Sequence, residues 1–288
     1  MIFSTRQLRW LLLFFLLIIP DAVAAADDPV AREYLKLSGL AGDQESLIRW
    51  QVGVQDSLCP LGAEAASVLR KEIESSVAAN QLVPAYCAVV RRTFSQEELE
   101  SLSKFYSSPL GNRFVQQSGT VDAKGWLEVQ RLQGFWKRDL FLLLGKPLDL
   151  YLLSLPDEKE GTEAALAKYS AAHRGAAAKL LEASGWADHF KAQMKERVEI
   201  YAEEQKKLPS KVQERLNKIA SWETSRSSFS ALLMEAFSET EMRELLEFYS
   251  TPTGKKLATV RDSLSGQLLD VTNGALRERY RLLLKEGC

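Results

Sequence analysis

Residues 94–113 read FSQEELESLSKFYSSPLGNR and residues 237–256 read FSETEMRELLEFYSTPTGKK, aligning without a gap at an offset of 143 with nine identities in twenty. An upstream echo, YLKLSGL at 34–40 against LLEASGW at 180–186, aligns at an offset of 146. A period that long is not a solenoid unit; it marks a duplicated domain with a three-residue length difference between its copies. The first copy is expected over 30–155 and the second over 176–288, each long enough to bury its own core. Between them, residues 156–162 (PDEKEGT) read as a linker, charged and carrying both Pro156 and Gly161.

Apolar residues recur at helical spacing, as at Leu69, Ile73 and Val77, or Leu276, Tyr280, Leu283 and Leu284. Sustained two-residue alternation of β-branched side chains is missing. The expected fold class is therefore all-α: two homologous helical-bundle domains from an internal duplication.

The repeated motif explains itself locally. Ser95 and Ser238 stand three residues before Glu98 and Glu241, the spacing of a reciprocal capping box. Phe94 with Leu99, and Phe237 with Met242, form the accompanying hydrophobic staple, and Leu102 with Phe105 (Leu245 with Phe248) continues the apolar face. Pro109 and Pro252 end this helix, since the residue before proline is pushed out of helical geometry. Ser108 and Thr251 can then cap a second helix with proline at its first position. Gly111 and Gly254 cost helix stability, and close approach of another backbone is the reason to keep them. The motif is a corner joining two helices. Tyr106 and Tyr249 within it are the binding-site candidates, each an apolar ring with a polar tip, beside the alternative that both rings are buried structurally.

The start Phe-Ser-x-x-Glu-[Leu/Met] followed by Phe-Tyr-Ser-[Ser/Thr]-Pro-x-Gly resembles the bacterial domain-of-unknown-function family 2059 (DUF 2059), here in two tandem copies. The resemblance centres on about twenty residues per copy. The second copy, with Gly254-Lys255-Lys256, is nearer the usual pattern than the first, which has Asn112 and Arg113 there. It implies an all-helical, exported bacterial protein and supplies no activity and no catalytic residues.

Arg6 and Arg9 precede an apolar run from Trp10 to Ile19, broken by Pro20 and followed by Ala22-Val23-Ala24. That is the layout of a secretory signal peptide over 1–24, its core too short for a membrane span; an uncleaved anchor is the alternative. A periplasmic or secreted location follows. Removing Arg6, Arg9 and Asp21 from 37 basic and 38 acidic residues leaves 35 and 37. So balanced a chain has no basic face for nucleic acid.

In an oxidising compartment Cys59 and Cys87, 28 residues apart in the first copy, read as a disulfide, with two buried thiols as the alternative. Cys288 is left over as a free thiol or an intermolecular link. His173 and His189 are 16 apart with no cysteine cluster nearby, so no metal site is expected. No nucleophile elbow, phosphate loop or dinucleotide fingerprint occurs, so no catalytic residue and no cofactor is assigned.

The segment 140–155 (LFLLLGKPLDLYLLSL) is strongly apolar yet interrupted by Lys146, Pro147 and Asp149. It reads as a helix end and a turn entering another helix, buried against the first copy, or alternatively as an exposed docking patch. The resulting functional expectation is a protein- or ligand-binding adaptor, partnered with another protein or with itself. A hydrolase of an envelope polymer, using carboxylates in a groove between the copies, is the alternative. Membrane attachment would need a basic face beside an apolar one, and the helices carry mixed charge.

Overall fold

The computed structural model describes residues 28–44, 46, 48–49, 71, 79–155, 166–219 and 221–286. The expected signal peptide at 1–24, the linker at 156–162, Cys59 and Cys288 lie outside the described residues. Every regular element among the described residues is helical, as the periodicity requires. The first copy supplies α1 (Pro29–Leu37), α2 (Ala79–Thr93), α3 (Gln96–Ser107), α4 (Pro109–Leu143) and α5 (Leu150–Ser154). The second supplies α6 (Ala171–Ala183), α7 (Trp186–Glu199), α8 (Ala202–Gln205), α9 (Ser210–Ile219), α10 (Trp222–Ala236), α11 (Glu239–Ser250) and α12 (Pro252–Glu286).

Three consecutive helices repeat at full length: α2 and α10 have 15 residues, α3 and α11 have 12, and α4 and α12 have 35. Upstream, Gly39 and Gly185 occupy the same place with φ of 79° and 83°, a backbone state that favours glycine. The three-residue difference falls between these glycines and the starts of α2 and α10.

The chain forms two compact units, and neither is a sequence copy. Among the described residues, unit 1 gathers 28–115 and 260–286, while unit 2 is 116–259. The division therefore falls inside both long helices, about two turns after each begins. A 35-residue helix is about 50 Å long, whereas α2 and α3 are less than half that. The distal turns of α4 outreach the helices they start among and find their apolar partners in the other copy.

Unit 2 shows this directly. Here α6 packs on α10 and α11, and the distal turns of α4 build a cluster with residues from α7 to α9. Trp136 and Leu140 are buried with Leu208 and Leu216, and Val198, Tyr201 and Val212 pack around them. Trp186 Nε1 donates to Asp122 at 2.7 Å, and Lys124 pairs with Glu235 at 2.8 Å. In unit 1, α1 packs on α2 and α3. Asp28 caps α1 by accepting from the backbone N–H of Val30 and Ala31, and it pairs with Arg91 at 2.8 Å. Tyr34 places its ring 5.9 Å from those of Phe94 and Tyr106.

The segment 140–155 differs in part from its sequence reading. Helix α4 ends at Leu143, Gly145 turns the chain with φ 65°, and Asp149 caps α5 by accepting from Leu152 N–H at 2.9 Å. Helix α5 lies back on α4, where Tyr151 donates to the Gln130 carbonyl and Arg138 to that of Leu155. Leu140 and Leu152 are buried, but Leu140 packs on the second copy's Leu208 and Leu216 rather than on the first. Leu142, Leu143, Leu150 and Leu153 turn outward, while Leu144, Leu148 and Leu155 are half-buried.

Candidate functional site

Both copies build the repeated corner as the spacing demands. Glu98 N–H donates to Ser95 Oγ at 3.2 Å while Ser95 N–H donates to Glu98 Oε2 at 2.7 Å. The second box repeats this at 3.3 and 2.7 Å between Ser238 and Glu241. At the corner, the Ser108 hydroxyl donates back to the Phe105 carbonyl at 2.6 Å and accepts from Gly111 N–H at 3.0 Å. Thr251 does the same with Phe248 and Gly254, at 2.7 and 3.0 Å. A Cβ at Gly111 would collide with the Phe105 carbonyl oxygen, and one at Gly254 with that of Phe248. The close backbone approach expected of these glycines is that of the preceding helix's last turn.

Tyr106 and Tyr249 are both buried. Each stands beside its phenylalanine neighbour at about 5 Å, Phe105 at 5.1 Å and Phe248 at 5.2 Å. Burial pushes the Tyr106 phenol up to about 12, against a smaller opposing pull from the Arg261 guanidinium. The apolar stripe of each helix is thus Leu99, Leu102 and Tyr106, or Met242, Leu245 and Tyr249, with Phe105 and Phe248 half-buried beside it.

Cys87 is a buried free thiol in this structure, and burial raises its pKa above the ordinary thiol value. His173 and His189 are half-buried and tied locally. The first has Nε2 3.0 Å from the Phe237 carbonyl, and the second has Nε2 2.7 Å from the Gln193 side-chain nitrogen. Among the described residues no three His, Cys, Asp or Glu side chains gather as a metal site. Nor is any helix among them long and apolar enough to cross a membrane.

A groove of about 260 Å³ runs between α7, α9 and the start of α10, over Met194, Val198 and Trp222. Its charged rim is already matched: Lys191 pairs with Glu182 and Asp188, and Lys195 with Glu199. Trp222 Nε1 donates to Glu182 at 3.0 Å. Such a lining offers an incoming polar ligand little that is not already engaged.

The sequence reading missed a buried polar relay in unit 1. Tyr86 Oη lies 2.9 Å from Thr272 Oγ1, which donates to Gln44 Oε1 at 2.8 Å and lies 3.0 Å from the Leu268 carbonyl. A threonine has one hydroxyl hydrogen, so Tyr86 is the donor in the first bond. Burial raises the Tyr86 pKa, and the bond to Thr272 works weakly against that shift. The available signal was two polar residues, Gln44 and Thr272, at helical spacing within apolar stripes.

The sequence profile of a bacterial family described as "Uncharacterized protein conserved in bacteria (DUF2059)" matches twice, at residues 80–134 and 226–280. The chain carries two DUF2059 copies. Each match runs from the helix before the capping box well into the long helix, so the DUF2059 signature includes the turns of α4 and α12 that enter the opposite unit. Neither a curated protein nor a solved structure matches the chain.

Proposed function

We propose that this tandem DUF2059 protein is an exported, periplasmic adaptor that binds another protein through the apolar turn joining α4 to α5. The carrying observation is a ridge of large side chains facing solvent. Leu142 is 59 % exposed, Leu143 45 %, Leu150 86 %, Tyr151 52 % and Leu153 62 %. Scattered single leucines at a surface need no explanation, but five within twelve residues of chain do. The lysines beside the ridge are engaged: Lys146 faces Glu204 at 3.5 Å and Lys137 faces Asp149 at 3.7 Å. Neutralised in this way, they lend little attraction to an anionic bilayer, which favours a protein face over a lipid surface. The basic-apolar-small pattern over 1–24 supports export.

The test places a photoreactive side chain at Leu150 in the native host and adds Leu153→Asp as the control. Both positions point into solvent, so the substitution should leave the melting temperature within about a degree or two. The expected result is one discrete crosslinked protein that disappears with Leu153→Asp, from a chain whose mature terminus lies near residue 25. Crosslinks to lipid alone, with the protein floating on vesicles, would overturn the reading.

A further inference from the structure

One place in the two units is built from opposite materials. In unit 1, Gln44, Thr272 and Tyr86 form the buried relay, and Leu268 fills the space a turn before Thr272. By the repeat offsets, the unit 2 counterparts of Gln44, Tyr86, Leu268 and Thr272 are Phe190, Phe229, Gly125 and Val129. Phe190 and Phe229 stack with centroids 4.5 Å apart and planes 13° apart, both fully buried. A Cβ at Gly125 would run into the Phe190 ring. That ring has nowhere to retreat, being held against Phe229, itself stacked on Trp222 at 5.5 Å.

If each copy kept its own long helix, these residues would meet the wrong partners. Leu268 would be set against Phe190, where not even a methyl group has room. The Thr272 hydroxyl would face two phenyl rings. Reciprocally, Tyr86 and Gln44 would face Gly125 and Val129, leaving a void and a polar pair without its bridging hydroxyl. Overpacking and orphaned buried polar groups are each strongly destabilising.

We infer that the two copies recognise one another as matched, unlike partners through their exchanged long helices. The surface formed by Phe190 and Phe229 accepts only a helix with a small residue at the Gly125 position and an aliphatic one at the Val129 position. The surface formed by Gln44 and Tyr86 accepts only a helix carrying the Thr272 hydroxyl. Each surface selects the other half of this chain against a second copy of its own half. The segment 156–162 then tethers a pair that is already self-selecting.

The experiment uses the full chain with a protease site in place of residues 156–162, cleaved after folding. Native mass spectrometry should show the halves as a single one-to-one pair, with no pair of like halves. Gly125→Ala should raise their dissociation constant about tenfold or more, and adding Phe190→Leu should recover much of that loss. If Gly125→Ala alone does not fold, recovery of the folded pair by Phe190→Leu reports the same coupling. Halves that part in native buffer, like halves that pair equally well, or a Gly125→Ala defect that Phe190→Leu does not relieve would each overturn the inference.

Discussion

Tyr106 lies seven residues after Leu99, and Tyr249 seven after Met242, so each ring closes the stripe begun by the helix's aliphatic anchors. The sequence reading placed Phe105 and Phe248 on that stripe and left Tyr106 and Tyr249 as either binding candidates or buried rings. One residue rotates a helical position by about 100°, and two adjacent aromatics leave the choice open until the neighbouring helix is known. In unit 1 that neighbour is α1, whose Tyr34 ring meets Tyr106. The burial has a pH consequence. A phenol whose folded pKa is raised to about 12 supports the fold fully below its ordinary value of 10, and the contribution is lost as pH rises through 12. Chemical denaturation between pH 8 and 12 should show a loss on the order of 3 kcal/mol from this group. Tyr106→Phe should flatten that part of the profile while changing stability little at pH 8. An unchanged alkaline slope in the variant would place the titration elsewhere.

The helix starts were legible because capping is local: a serine, a glutamate three residues on, and a flanking aromatic specify the geometry before any packing occurs. Ser95→Ala and Ser238→Ala should each cost about 1 kcal/mol. Because the boxes stand in different units, the double variant should cost their sum, which urea denaturation of the three variants checks. The corner at Pro109 and Pro252 was legible for the same reason, down to the need for Gly111 and Gly254. The segment 140–155 was not. Its leucines look alike in sequence, and which of them are buried depends on a surface the second copy provides: Leu140 has Leu208 and Leu216 to pack on, whereas Leu150 is left in solvent.

At the scale of the whole molecule, the duplication was plain in the sequence and the exchange of long helices was not. Two homologous copies offer each long helix two similar grooves, and an apolar stripe does not say which one it fills. The tie is broken by size and polarity at a few buried positions, Gly125 with Phe190 and Thr272 with Tyr86, whose pairing is visible only once the helices are assembled. The most direct test is zero-length carbodiimide coupling of the dilute, monomeric protein, with crosslinked peptides read by mass spectrometry. Lys124 lies 2.8 Å from Glu235 and Lys146 lies 3.5 Å from Glu204, so the account predicts 124–235 and 146–204 links within one chain. Links joining Lys124 and Lys146 only to acids of residues 30–155 would contradict it.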